Sequence, residues 1–327
     1  MCADGNGCVL GIDIGGTKIA VAAVDAGGEM LVEGEFPSPS RDGDAMVEAF
    51  GSLIGREFDR YREKGLDVRA VGIAAAGYIL QGEGILLESP NIAWRMVPLR
   101  QIAVEVTGLP AFLDNDANGA AAGERFVGAA RGVDDFVYLT LGTGVGGGVY
   151  VGGKPLRGHR GMGAELGHIV IDPNGPVCGC GHRGCLEVFA SGTALGREAA
   201  GVVAGDTDSV LLEMAGGEAG RITGKMVSRA AERGDRAALR AYEIWSGYLG
   251  MGIVDLIHIF DPELVVLGGG VSESGHLFID SVRRAVSERG IASLVEGVRI
   301  VLSELGNEAG VVGAAGLAWE GIRERVL

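Results

Sequence analysis

The sequence predicts an α/β protein made of two similar domains that face one another across a cleft. Two internal echoes and one alternation carry that expectation. Residues 9–24 read VLGIDIGGTKIAVAAV, and residues 137–151 read VYLTLGTGVGGGVYV. Each is a strand, a Gly/Thr tip and a second strand, the pattern of a β-hairpin. The second echo pairs VGIAAAG at residues 71–77 with LVVLGGG at residues 264–270, two apolar strands that end in small residues. Matching units recurring along one chain point to a duplicated architecture. Between them, apolar runs of strand length alternate with segments of helical period, as in α/β chains.

Taken in order, residues 45–64 read as a helix stopped by Gly65, and residues 98–107 as another, with Pro98 in its first turn and Gly108 beyond its end. Residues 111–113 form a short strand that delivers Asp114-Asn115-Asp116, and the alanine-rich stretch 118–130 is helical. Helices are expected at 225–232, 236–257 and 308–325. The expected domains are residues 1–118 and 119–307, with the final helix at 308–327 packing back on the first.

At 327 residues the chain has the length of about two domains. A chain of this size buries roughly three quarters of its unfolded surface, so a bound metal would matter locally. Lys and Arg number 28 against 43 Asp and Glu, a net charge of -15. That balance argues against nucleic acid as a partner. Any bound phosphate must be held by backbone N–H groups, a metal ion or a few placed cations. The opening MCADGNGCVLG carries no basic residue before Lys18 and does not read as a secretory signal. Residues 136–153 are uncharged but hold seven glycines, which suits a hairpin better than a membrane span. Reduced thiols in a ligand-like arrangement, with Cys2 and Cys8 left over, fit a cytoplasmic protein with no membrane partner.

Three of the five cysteines, Cys178, Cys180 and Cys185, share a loop with Gly179, Gly181 and Gly184 between them. His168 lies upstream, and Ile169-Val170-Ile171 is a strand-like segment able to bring its ring back over the loop. Three sulfurs and one imidazole make the closed tetrahedral set of structural zinc; small buried cysteines are the simpler alternative. Glu165 and Glu187 flank the loop. Solvated surface charges are the ordinary reading of glutamates, and presentation of both acids to a polar ligand is the functional one.

Two phosphate motifs match only formally. Gly142-x-Gly144-x-x-Gly147 fits the dinucleotide fingerprint, yet a strand follows where that motif requires a helix. Residues 148–154 begin like a P-loop, yet Pro155 stands where Ser or Thr should hold magnesium. The hairpin tips are better candidates. Gly15, Gly16, Gly142, Gly144 and Gly146 let backbone N–H groups approach phosphate oxygens. Thr17 and Thr143 add hydroxyls, Lys18 a point charge, and Asp13 a carboxylate able to hold Mg²⁺ directly or through water. Together they point to a nucleoside triphosphate.

Asp116 falls where an apolar strand gives way to a helix, the end at which α/β proteins bind ligands. A carboxylate there can serve as a helix cap. As a functional group it would take the proton of an attacking hydroxyl, with Asn115 and Asn91 reading the same substrate.

These motifs resemble the ROK family of sugar kinases and sugar-responsive repressors, within it the glucokinase type. The resemblance rests on DIGGTK at 13–18, SPN at 89–91, DNDAN at 114–118, LGTGVGGG at 141–148, AELGH at 164–168, the CGCGxxGCLE block at 178–187 and LGGG at 267–270. It implies an actin-like ATPase fold of two RNase-H-like domains, ATP, Mg²⁺ and phosphoryl transfer to the 6-hydroxyl of a hexose. It implies Asp116 as the catalytic base and Gly77, Asn91, Asn115, Glu165, His168 and Glu187 as sugar-binding positions. His168, Cys178, Cys180 and Cys185 match the zinc ligands, and Gly268, Gly269 and Gly270 join the nucleotide-binding set. Family members often carry proline before the glycine at 77; Ala76 stands there.

Glucose is the expected substrate, with N-acetylglucosamine, N-acetylmannosamine, mannose or fructose as alternatives, and a homodimer the expected assembly. A sugar-responsive regulator is the other class. Eight residues before Val9 are too few for a DNA-binding domain, so the kinase is expected. Trp94, soon after Asn91, is expected near the ligand, with a place in the core as the alternative.

Overall fold

The computed structural model describes residues 7–38, 44–89, 92, 94–204 and 208–326. The chain falls into two compact units. The first comprises Met1–Gly132, Pro155–Ala164 and Asn307–Leu327; the second comprises Val133–Lys154 and Glu165–Gly306.

In the first unit the strands are β1 (Gly7–Ile14), β2 (Lys18–Asp25), β3 (Met30–Pro37), β4 (Asp67–Ala75), β5 (Tyr78–Leu80), β6 (Ile85–Glu88), β7 (Arg95–Val97) and β8 (Ala111–Asn115). Five of them form one sheet in the order β3-β2-β1-β4-β8. The β1–β2 hairpin is antiparallel, from Cys8 opposite Asp25 to Ile14 opposite Ile19. From β1 the sheet continues in parallel through β4 to β8. Strand β1 is apolar on both faces because both faces are covered. Helices α1 (Asp44–Glu63) and α2 (Leu99–Thr107) pack together and reach β4 and β8. Helix α3 (Asp116–Val127) and the C-terminal helix Ala309–Val326 pack against each other, and the C-terminal helix lies on β1 and β4.

The close seat of that last helix requires two glycines. Gly11 and Gly72 face each other across β1 and β4. A Cβ on Gly72 would strike the Ala314 carbonyl, and one on Gly11 would lie 2.5 Å from the Val311 carbonyl. Strand β3 alternates half-buried and exposed residues, as a charged edge does. Strands β5, β6 and β7 make a separate three-stranded antiparallel sheet.

The second unit repeats the plan. Its strands are β9 (Phe136–Leu141), β10 (Val145–Val151), β11 (Lys154–Pro155), β12 (Leu264–Gly268) and β13 (Arg299–Leu302), in the order β11-β10-β9-β12-β13. The β9–β10 hairpin is antiparallel, and β12 runs parallel to both β9 and β13. The repeated order explains both echoes: the hairpins are the first two strands of each sheet, and VGIAAAG and LVVLGGG hold the next. The helices are α4 (Glu187–Ala190), α5 (Gly192–Val203), α6 (Val210–Met214), α7 (Gly224–Glu232), α8 (Arg236–Phe260), α9 (Ile279–Arg289) and α10 (Ala292–Val295), the C-terminal helix being α11. Asp235 caps α8 by accepting from the Ala238 N–H, and left-handed Asp261 ends it.

Three sequence expectations are displaced. The chain passes between units at Gly132–Val133 rather than near Asn118, because α3 packs on α11 of the first unit. Trp94 takes the core alternative: it is 2% exposed and packs edge-on to Phe50. Residues 169–171 form no strand; only an isolated bridge joins Val170 to Cys185, and His168 ends a 3₁₀ turn, Leu166–His168.

Candidate functional site

In the first unit the polar groups gather at the carboxyl ends of the parallel strands. Register carries them there: Asp13 of β1 pairs with Ala74 of β4, and Ala74 pairs with Asp114 of β8. Asp13 lies against Gly310 near the start of α11, where a side chain would collide with its carboxylate. Burial raises the Asp13 pKa to about 6, and the charge of Asp116 adds to the rise. The Asp116 carboxyl is also raised, chiefly by desolvation, although its residue surface is exposed. The cap of α3 is Asn115, not Asp116: Asn115 Oδ1 accepts from the Asn118 N–H at 2.7 Å. Asp116 Oδ1 accepts from the adjacent Ala117 N–H at 3.0 Å, outside the N-cap position, and the cap commits the oxygen of the Asn115 amide.

The first tip is closed by Gly15 N–H donating to the Lys18 carbonyl at 2.9 Å. Ser38 donates to the Gly15 carbonyl with its hydroxyl and to the Thr17 carbonyl with its N–H. Gly16 and Thr17 are exposed. Lys18 points to Glu35 on the neighbouring strand, with its Nζ 2.6 Å from the carboxylate. Gly77 follows β4 with φ 142°, and a Cβ there would lie 2.5 Å from the Glu88 carbonyl, so only glycine fits. Asn91 lies outside the described residues.

In the second unit a cavity of about 520 Å³ opens beside the β9–β10 tip, within the usual range of small-molecule sites. Gly142, Thr143 and Gly270 line it, with Leu195, Ile222 and Val271 as apolar walls and Thr193, Thr223, Lys225 and Ser228 as polar groups. Gly268 and Gly269 stand behind it: side chains there would meet Tyr138 and the Leu141 backbone. Gly142 accepts from the Gly192 N–H at 2.7 Å, and Thr193 Oγ1 donates to the Thr143 carbonyl at 2.8 Å, so the start of α5 is tied to the tip. Sequence reasoning missed α5 and α7 as walls. Ser191, whose hydroxyl accepts from the Ala194 N–H, is the cap signal that could have located α5.

Glu187 joins the tip to the cysteine loop. Its Oε2 accepts from the Val145 N–H at 3.1 Å, and the Cys178 thiol lies 3.4 Å from its Oε1. A side chain on Gly144 would collide with the same carboxylate. The loop is pinned by Cys178 N–H to the His182 carbonyl and Gly181 N–H to the Cys178 carbonyl. The donor atoms of His168, Cys178, Cys180 and Cys185 all lie within 4.8 Å of one another and could hold one metal ion. Burial raises the Cys178 thiol, while the His182 N–H and ring lower Cys180. Beneath the cluster, Phe189 stacks on Tyr248 of α8. Glu165 is exposed and leads directly into the turn that carries His168.

Two units of one strand order, with carboxylates at the strand ends of one and a glycine-lipped cavity in the other, define a two-domain actin-like ATPase fold. The chain belongs to the ROK family, whose pattern matches residues 9–320. It is 39% identical over 317 residues to a glucokinase of Streptomyces coelicolor, covering 96% of this chain and 98% of that protein. The crystal structure of a ROK family glucokinase from Streptomyces griseus, in complex with glucose and AMPPNP, superposes with a TM-score of 0.79 at 39% identity. It covers 96% of this chain and all of that one. A ROK family transcriptional regulator superposes with a TM-score of 0.86 at 28% identity, and this chain covers 78% of its length.

Proposed function

We propose that this chain is an ATP-dependent glucokinase that transfers the γ-phosphoryl group to the 6-hydroxyl of glucose. The observation that carries the mechanism is Asp116, a residue with exposed surface at the end of a parallel strand, its carboxyl pKa raised by desolvation and the neighbouring cap made by Asn115. A raised pKa makes a carboxylate a better proton acceptor. Asp116 takes the proton of the 6-hydroxyl as that oxygen bonds to the γ-phosphorus and the bond to the bridging oxygen of ADP breaks. Positioning and charge neutralisation supply most of the acceleration.

The roles follow the two units. Leu195, Ile222 and Val271 offer apolar walls to the adenosine, and the N–H groups around Gly142, Thr143 and Gly270 meet phosphate oxygens. Gly144, Gly268 and Gly269 keep side chains out of that backbone, and Gly15, Gly16 and Thr17 offer a second tip. Asp13 fits a magnesium ligand, an ion that neutralises phosphate charge when bound. Lys18 reaches phosphate only by leaving Glu35. Asn91, the Asn115 amide N–H groups, Glu165, His168, Glu187 and the backbone at Gly77 hold the sugar hydroxyls.

Zinc suits the cysteine cluster. Zinc–sulfur bonds of about 2.3 Å and zinc–nitrogen bonds of about 2.0 Å at tetrahedral angles put S···S at about 3.8 Å and S···N at about 3.5 Å. Cys180 and Cys185 stand 3.7 Å apart, and Cys178 is 3.6 Å from His168 Nδ1. The ion would stiffen the loop between His168 and Glu187. A homodimer in the cytoplasm completes the proposal; among the described residues no helix is long and apolar enough to cross a membrane.

A panel of hexoses with ATP, read as ADP release, tests the substrate. Glucose is expected to give the largest kcat/KM. A larger value for N-acetylglucosamine, N-acetylmannosamine, mannose or fructose would assign that sugar instead.

A further inference from the structure

We propose that Arg157 is a positioning residue for phosphoryl transfer, holding the strand end that carries Asp116. The proposal rests on Asp116 being the base. It starts from a buried charge. Asp114 is 1% exposed, and a carboxylate so far from water is tolerated only where its oxygens are fully paired. Its Oδ1 accepts from the Asn115 N–H at 2.9 Å and from Asn118 Nδ2 at 2.8 Å. Its Oδ2 accepts from Arg157 Nε at 2.6 Å. One carboxylate thus gathers the backbone of Asn115, the first turn of α3 and a cation from a distant segment.

That segment has an unusual course. Pro155–Ala164 belongs to the first unit although the chain on either side belongs to the second. The strap closes on itself where Gly163 N–H donates to the Arg157 carbonyl at 2.8 Å. It also lies against Gln81, where a Cβ on Gly161 would approach within 2.5 Å of that side chain. It ends at Ala164, a non-glycine residue at φ 65°, directly before Glu165. Arg157 therefore fastens this strap to the segment Asp114-Asn115-Asp116. The guanidinium is charged at every working pH. Remove it, and Asp114 is left as an uncompensated buried charge that must turn toward water. The Asn115 N–H and Asn118 amide lose their fixed acceptor, and Asp116 drifts from its line to the sugar hydroxyl.

The test compares Arg157→Ala, Arg157→Lys, the double variant Arg157→Ala/Asp114→Asn and Asp116→Asn in full-length protein, with kcat, KM for ATP and melting temperature read for each. Arg157→Ala is expected to lower kcat about 100-fold, the scale on which small misplacements of reacting groups act, with KM for ATP held within about twofold. Arg157→Lys should recover part of kcat, because it restores the cation without the planar fork. The double variant should also recover part, because a neutral amide in place of the Asp114 carboxylate needs no counter-charge. Where Arg157→Ala does not fold, Arg157→Lys carries the same split between kcat and KM. Wild-type kcat in Arg157→Ala, or a loss that follows melting temperature and is rescued by neither companion, overturns the proposal while leaving the base intact. Wild-type turnover in Asp116→Asn overturns the base, and this proposal with it.

Discussion

Asp13 shows how a single residue joins fold to chemistry. Its position on β1 places it opposite the small residues of β4 and beside Gly310, and the resulting burial raises its pKa to about 6. A group with a raised pKa is protonated below that value and charged above it, so protons and Mg²⁺ compete for it as pH falls. Magnesium titrations of ADP release are expected to show weaker apparent affinity one unit below that pKa than one unit above. The difference should disappear in Asp13→Asn. Equal affinities in the wild type at both values would remove Asp13 from the ion. Some residues could not be read in this way from sequence. Arg157 lies 43 positions from Asp114 and Glu187 lies 42 from Val145, and no local pattern connects such pairs. Between the two readings of Trp94 the sequence could not choose: its nearness to Asn91 in sequence suggested a ligand, whereas its apolar ring fills the core against Phe50.

At the scale of elements, glycine spacing made both hairpins legible, because a strand, a small-residue tip and a strand have few other readings. The strand order within each sheet was not, since crossovers decide it. Nor were the edge strand β3, the three-stranded sheet or α5: their signals are short and compete with ordinary loop composition. The cysteine loop was legible as a ligand set, and His168 reaches it without the strand first expected. A 3₁₀ turn and one bridge place the ring, and Phe189 stacked on Tyr248 supports the floor. If the loop is held by zinc, Cys180→Ser should lower the zinc content found by metal analysis and raise KM for glucose. It should change melting temperature only modestly, because the fold has its own core. Undiminished zinc in that variant would remove Cys180 from the ligand set.

Across the whole molecule, one strand order used twice gives two platforms of the same plan with different equipment. The first carries Asp13 and Asp116 at its strand ends, and the second carries the cavity and the cysteine loop. The acidic balance of -15 is consistent with phosphate held by backbone N–H groups and a metal ion rather than by a basic surface. The strap Pro155–Ala164 is the exception to the repeat, a piece of the first unit inserted in the chain of the second. The most direct measurement is turnover of Asp116→Asn with glucose and ATP, made beside calorimetric glucose binding. Binding should persist while kcat falls by about 100- to 10,000-fold, the share a positioned base supplies. Wild-type turnover in that variant would contradict the assignment of Asp116 and the mechanism built on it.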